Sequence, residues 1–235
     1  MRRALSEGRL DDVSPERVRE EILASLNEDE PWKILSHICE TGIFGILHHG
    51  IQPPLCLANV DDPVSEALEW MKGIAPGHEM PGKDLSYFAF IMSLSDPVEV
   101  KVFAIKYHFD NTIMEIAEAL SHLPIARESL RLEKQTPSEL AMKLDPLPTP
   151  LLTVLAAETA SGSKERETLG EYIGKLKQVR PEIDGTDFIK EGYEPGPSFR
   201  KALETVRRAK LDGKISTREE EIAVARAILD SHSPE

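Results

Sequence analysis

Residues 186–220 read TDFIKEGYEPGPSFRKALETVRRAKLDGKISTREE and hold the most unusual chemistry in the chain. Gly192 suits the left-handed cap of a short helix over roughly 186–191. The tight turn Tyr193-Glu194-Pro195-Gly196-Pro197 follows, and a second helix starts at Pro197 or Ser198 and runs to Gly213. Such a corner presents the backbone N–H groups of Ser198, Phe199 and Arg200 at a helix N-terminus. Gly196 has no side chain to block a close approach. Donors and macrodipole then point the same way, which makes the terminus a seat for phosphate. Charge agrees locally. Between Pro195 and Arg218 stand Arg200, Lys201, Arg207, Arg208, Lys210, Lys214 and Arg218 against Glu204 and Asp212, a balance of +5 in a chain of −13. An island of that kind resembles an electrostatic footprint for nucleic acid. The same residues also suit a solvated helix face at an ordinary helix-turn-helix corner.

The elements that must position this corner are helical. The chain has 235 residues, 40% hydrophobic and 29% charged, enough for a real core and too apolar for wholesale disorder. Ser14-Pro15, Asp96-Pro97, Thr136-Pro137 and Thr149-Pro150 share one form, a capping side chain before a proline at the first helical position. Thr136 with Glu139 and Thr217 with Glu220 have capping-box spacing. Apolar residues recur with helical period: Val18, Ile22, Leu23 and Leu26; Val98, Val102, Ile105 and Phe109; Phe199, Leu203, Val206 and Leu211. Residues 86–92 (SYFAFIM) have a strand-like composition, but Asp84 as a cap and helical neighbours predict a buried helix. The expectation is an all-α fold of about a dozen short helices with no significant sheet. Residues 74–84 predict an exposed loop, 145–150 (DPLPTP) a stiff turn, and 161–163 a weaker break.

The other chemistry is sparse. An overall excess of acidic residues excludes a uniformly basic nucleic-acid coat, so any RNA must be held by a local patch. The longest uncharged apolar run, Ser86 to Ser95, is about half of a membrane span. The start, MRRALSEGRLDDVSPER, has no apolar core of a secretory signal. Cys39 and Cys56 form no CxxC and read as buried free thiols in a reducing cytoplasm. His37, His48, His49, His78, His108, His122 and His232 include no HExxH, and the adjacent pair His48-His49 does not suit one metal. No metal site and no catalytic residue is expected. Trp32 and Trp70 read as core, and Glu219-Glu220-Glu221 reads as a helix-cap feature.

With these residues in view, the tail GTDFIKEGYEPGPSFRKALETVRRAKLDGKISTREEE resembles that of the bacterial class II tRNA nucleotidyltransferases and poly(A) polymerases. The matching points are Gly185, Asp187, Phe188, Gly192, Pro195, Gly196, Pro197, Leu203, Leu211, Asp212, Gly213, Thr217, Arg218 and Glu219. At the other end, Ser14-Pro15-Glu16-Arg17-Val18-Arg19-Glu20-Glu21-Ile22 is similar to the family's neck motif. PWKILSHICETGIFGIL is similar to the helix that ends in Leu-x-x-x-Gly-Leu-Leu. Residues 50–185 match only in helix pattern. The family's Gly-Ser loop with its Asp-x-Asp metal pair, its ribose motif and its Glu-Asp-x-x-Arg template have no counterpart. Gly162-Ser163 is followed by KERETLGEYIGKLK, which contains no aspartate. Two-metal nucleotidyl transfer needs paired carboxylates for Mg²⁺.

The resemblance implies the end of a neck over 1–30, a helical body over 31–147, and a helical tail over 148–235 that carries the RNA-contact corner. It implies a chain that holds the acceptor arm and elbow of tRNA, or another structured RNA, for a separate nucleotidyltransferase head. That head would use Mg²⁺ with ATP or CTP; no cofactor is expected in this chain, which alone is expected to be inactive. The expected RNA contacts are Gly196, Pro197, Ser198, Phe199, Arg200, Lys201, Arg207, Arg208 and Lys210. Arg17 and Glu21 would brace the nucleotide template from behind, or simply pair one helical turn apart. The chain would be the C-terminal part of a longer enzyme or a reduced relative, in the cytoplasm and off the membrane. The rival readings are a helical interaction scaffold and a degenerate relative without RNA binding.

Overall fold

The computed structural model describes residues 13–51, 61–77 and 80–231. The expectations placed on the first twelve residues, Cys56, His78 and His232 lie outside the described residues. Those described are helical without a strand, as the proline and periodicity patterns predict.

The chain divides into two compact units, one of residues 1–131 with 144–170 and one of residues 132–143 with 171–235. The first contains α1 (Pro15–Leu26), α2 (Pro31–Thr41), α3 (Ile43–Leu47), α4 (Pro63–Ile74), α5 (Lys83–Met92), α6 (Pro97–Lys106), α7 (Asn111–Ala119), α8 (Leu123–Arg131) and α10 (Thr149–Glu158). Helix α9 (Pro137–Leu144) belongs to the second but for its last residue, and α11 (Lys164–Gly174) runs across the division at Gly170. The second unit is completed by α12 (Gly185–Lys190), α13 (Pro197–Leu211) and α14 (Arg218–Asp230).

Proline marks the starts as expected. Ser14 and Asp96 cap α1 and α6 with their side chains, and Pro15 and Pro97 open the helices. Thr136 and Glu139 exchange cap bonds at the start of α9. Two expectations need correction. Thr149 is the first residue of α10 rather than its cap; Pro148 precedes it without a side-chain bond. Asp84 lies within the first turn of α5, which begins at Lys83 after Gly82; there its charge favours the dipole without accepting a cap bond.

Helix α5 is the axis of the first core. Every residue from Ser86 to Met92 is buried, and the helix packs against α1 and α10. A helix apolar all round must be enclosed on all sides. The periodic set read at α6 divides between surface and core. Val98, Val102 and Ile105 are exposed, while Val100, Phe103, Ala104 and Tyr107 face inward and Phe109 is buried beyond the helix end. Both sets have helical spacing. Phe103 lies within 4.9 Å of the Tyr107 ring and 5.9 Å of the Phe109 ring, and burying those aromatics outweighs burying three aliphatics.

A buried charge holds the same unit together. Arg166, 4% exposed, donates two 2.8 Å hydrogen bonds to Glu66 and reaches the carbonyls of Ala156 and Thr159. Its guanidinium lies 4.5 Å from the Trp70 ring centre. A planar, always charged fork suits that combination of bidentate pairing and stacking. Tyr87 likewise donates its hydroxyl to Asp62, whose other oxygen caps α4 through the N–H groups of Val64 and Ser65. Burial first, then that bond, pushes the Tyr87 phenol far up.

The second unit has its own core of Ile183, Phe188, Ala202, Val206, Ala225 and Leu229, with Tyr193, Phe199, Leu203 and Ile222 packed around it. Phe188 and Phe199 meet edge to face at 5.1 Å. Asp212 accepts the N–H of Ser138 at 3.0 Å, which fastens the 132–143 segment.

Candidate nucleic-acid interface

The corner forms as its residues require. Asp184 caps α12, and Asp187 returns the bond to the Asp184 N–H, so both ends of a capping box are carboxylates. Glycine ends the helix at Gly192 with φ 93°, a left-handed conformation that costs a side-chain residue energy. Gly196 is the N-cap of α13 and Pro197 its first residue. No side chain caps this terminus. A Cβ placed on Gly196 would come no closer than 4.0 Å to anything, so the space above it is open. The Phe199 N–H is not among the available donors, because it donates to the Gly196 carbonyl at 3.1 Å.

The basic island separates into outward and committed charges. Arg200 is 86% exposed in its side chain and pairs with Glu204 one turn on, at 2.9 Å. Lys201 and Arg208 are exposed, and Arg208 pairs with no acidic side chain among the described residues. Arg207 is half-buried and donates through Nε to the Val179 carbonyl. Lys210 sits between two carboxylates, 3.0 Å from Glu182 and 2.6 Å from Glu221. The bond to Glu221, then that to Glu182, raises the Lys210 ammonium above its ordinary range. Lys214 pairs with Asp212, and Arg218 with Asp187 at 2.6 Å. The local count of +5 therefore overstates what a ligand meets; Arg200, Lys201 and Arg208 carry the outward part.

Two residues organise this site in ways the sequence did not show: Asp187 stood only as a point of resemblance and Glu221 only within an acidic cap triplet. Glu221, fully buried, accepts the N–H groups of Glu182 at 2.7 Å and Ile183 at 3.2 Å through one oxygen and Lys210 through the other. Within the acidic triplet, Glu220 completes the capping box with Thr217, as its spacing predicts, while Glu221 turns into the core. Asp187 holds both the Asp184 N–H and Arg218. Only helical phase separates Glu221 from its neighbours.

Elsewhere, Arg17 and Glu21 lie 3.6 Å apart with both side chains about 70% exposed, the simple pairing that their spacing allows. His48 Nε2 is 2.7 Å from Glu99 and His108 Nδ1 2.7 Å from Glu16. Cys39 is a buried free thiol whose pKa burial pushes up to about 11. Among the described residues, no group of three or more His, Cys, Asp or Glu could hold a metal ion, and no helix is long and apolar enough to cross a membrane.

Comparison with known proteins agrees with the neck and tail motifs. Residues 2–53 match the family described as the probable RNA and SrmB-binding site of polymerase A. The A-adding tRNA nucleotidyltransferase of Geobacter sulfurreducens is 24% identical over 98% of this chain, which spans 27% of that relative. In fold, a CCA-adding enzyme with CTP matches all of the chain at TM-score 0.73 and 18% identity, over 55% of its own length. The Thermotoga maritima CCA-adding enzyme complexed with tRNA matches 99% of the chain at TM-score 0.67 and 19% identity, again over 55% of its own length. The chain thus resembles the tRNA nucleotidyltransferase family in the motifs at both ends, aligns with one such relative over nearly its whole length, and shares the helical fold of the CCA-adding enzymes.

Proposed function

We propose that this chain is an RNA-holding region that grips tRNA, at its acceptor arm and elbow, for a nucleotidyltransferase head outside it. The observation that carries the reading is the α12–α13 corner: an open glycine N-cap with Arg200, Lys201 and Arg208 directed to solvent. Phosphates are its natural ligands, since cations and a helix N-terminus fix a backbone without reading bases. A protein that must accept many tRNAs needs recognition of that kind. The relatives named for A-adding and CCA-adding, one of them complexed with tRNA, support it. The head would bring Mg²⁺ and ATP or CTP, and the setting would be the cytoplasm. Arg207 and Lys210 would contribute by holding α13 in place rather than by direct contact.

Filter binding of a mixture of tRNAs over a salt series tests this. The parent should bind at low salt, with affinity falling linearly in log salt. Arg200→Glu with Arg208→Glu should weaken all tRNAs alike and flatten that slope by roughly one to two. A parent that fails to bind, or a double variant indistinguishable from it, would overturn the proposal.

The scaffold reading draws on one observation. Lys210, Lys214 and Arg218 spend their charge on carboxylates of the chain itself.

A further inference from the structure

Helix α6 leaves a second apolar face uncovered. Val98 is 68% exposed, Val102 46% and Ile105 57%. Their i, i+4, i+7 spacing aligns them on one stripe along two turns. Single exposed aliphatic residues are ordinary, but an aligned set on one helix is the seam that another helix covers.

The charges beside the stripe indicate which helix fits. Glu99 and Lys106 fall on the same flank, one near each end of α6. Placing a second α6 antiparallel, about a two-fold axis near Val102, sets Glu99 of each copy beside Lys106 of the other and Val98 beside Ile105. A contact related by such an axis is self-complementary. Both charges retain capacity for it. Glu99 approaches His48 with Oε2, leaving Oε1, and Lys106 gives one of its three protons to the Leu47 carbonyl at 2.8 Å.

We infer that α6 is the seam of an antiparallel dimer of this chain. A stripe of three side chains falls well short of the roughly 800 Å² that each partner buries in a stable complex, so association is weak and concentration-dependent.

Sedimentation velocity on the full chain over a wide concentration series tests the inference. The parent should shift from monomer to dimer as concentration rises. Val102→Glu, which sets two carboxylates together at the axis, should remain monomeric where the parent is half dimeric, with an unchanged helical circular dichroism spectrum. Lys106→Glu should weaken the dimer, and adding Glu99→Lys should restore it. A parent that stays monomeric throughout, as it would if this face met a different protein, overturns the inference. So does a dimer that Val102→Glu leaves intact.

Discussion

The ammonium of Lys210 donates a 2.6 Å hydrogen bond to the fully buried carboxylate of Glu221. This pair joins α13 to α14, and the remaining Glu221 oxygen holds the N–H groups of Glu182 and Ile183. One glutamate thus ties three stretches of the second unit. Removing its cation leaves a buried negative charge with backbone donors alone. Lys210→Met should destabilise the chain by about 2 kcal/mol in urea unfolding. Arg208→Met, at an exposed and unpaired position, should leave the midpoint within experimental error.

Acid should act through the caps. The Ser216 N–H, then that of Thr217, holds the Glu220 carboxyl below its ordinary range. The Thr186 hydroxyl, then the Thr186 N–H, does the same for Asp184. A carboxylate depressed on folding stabilises above its unfolded pKa and loses that contribution as pH falls through the folded value. The melting temperature should therefore be flat above about pH 5 and fall from about pH 4 downward. Glu220→Gln should melt lower at neutral pH and show a shallower decline. A profile as steep as the parent's would show that the cap does not contribute.

Arg166 predicts a failed conservative exchange. Lysine can neutralise Glu66 but cannot pair bidentately, reach two carbonyls and stack on Trp70 at once. Arg166→Lys should cost about 2–3 kcal/mol of stability in chemical denaturation, and Arg166→Met at least as much, since the Ala156 and Thr159 carbonyls then lose their donor.

Tyr87→Phe isolates one buried hydroxyl. The ring stays in place, and Asp62 keeps its two N–H donors from α4. The loss should be about 1–2 kcal/mol, read from the urea midpoint at constant slope. Asp62→Ala removes the cap as well and should cost more.

Much of the fold was legible because proline and capping side chains carry local instructions. Pro15, Pro97 and Pro137 each sit where a helix N-terminus can spare an N–H. The helix over SYFAFIM was legible from its neighbours, despite a composition that also suits a strand. The buried face of α6 was not, because Val98, Val102 and Ile105 have the same periodicity as Val100, Phe103 and Tyr107. Spacing defines a stripe; only the neighbouring aromatic rings decide which stripe turns inward. At the corner, Gly192 and Pro197 fixed the turn by backbone chemistry. The division of its cations into outward and committed ones depends on Glu182, Asp187 and Glu221, which pair across 11 to 36 positions of sequence. Net charge per stretch cannot register partners at that separation.

The second unit draws residues 132–143 from one place in the chain and 171–235 from another. No single scission can release it whole. A fragment starting near residue 171 would lose the Ser138 N–H that Asp212 accepts. A faithful excised version would instead be a permutant, with residues 132–143 spliced back onto one of its ends.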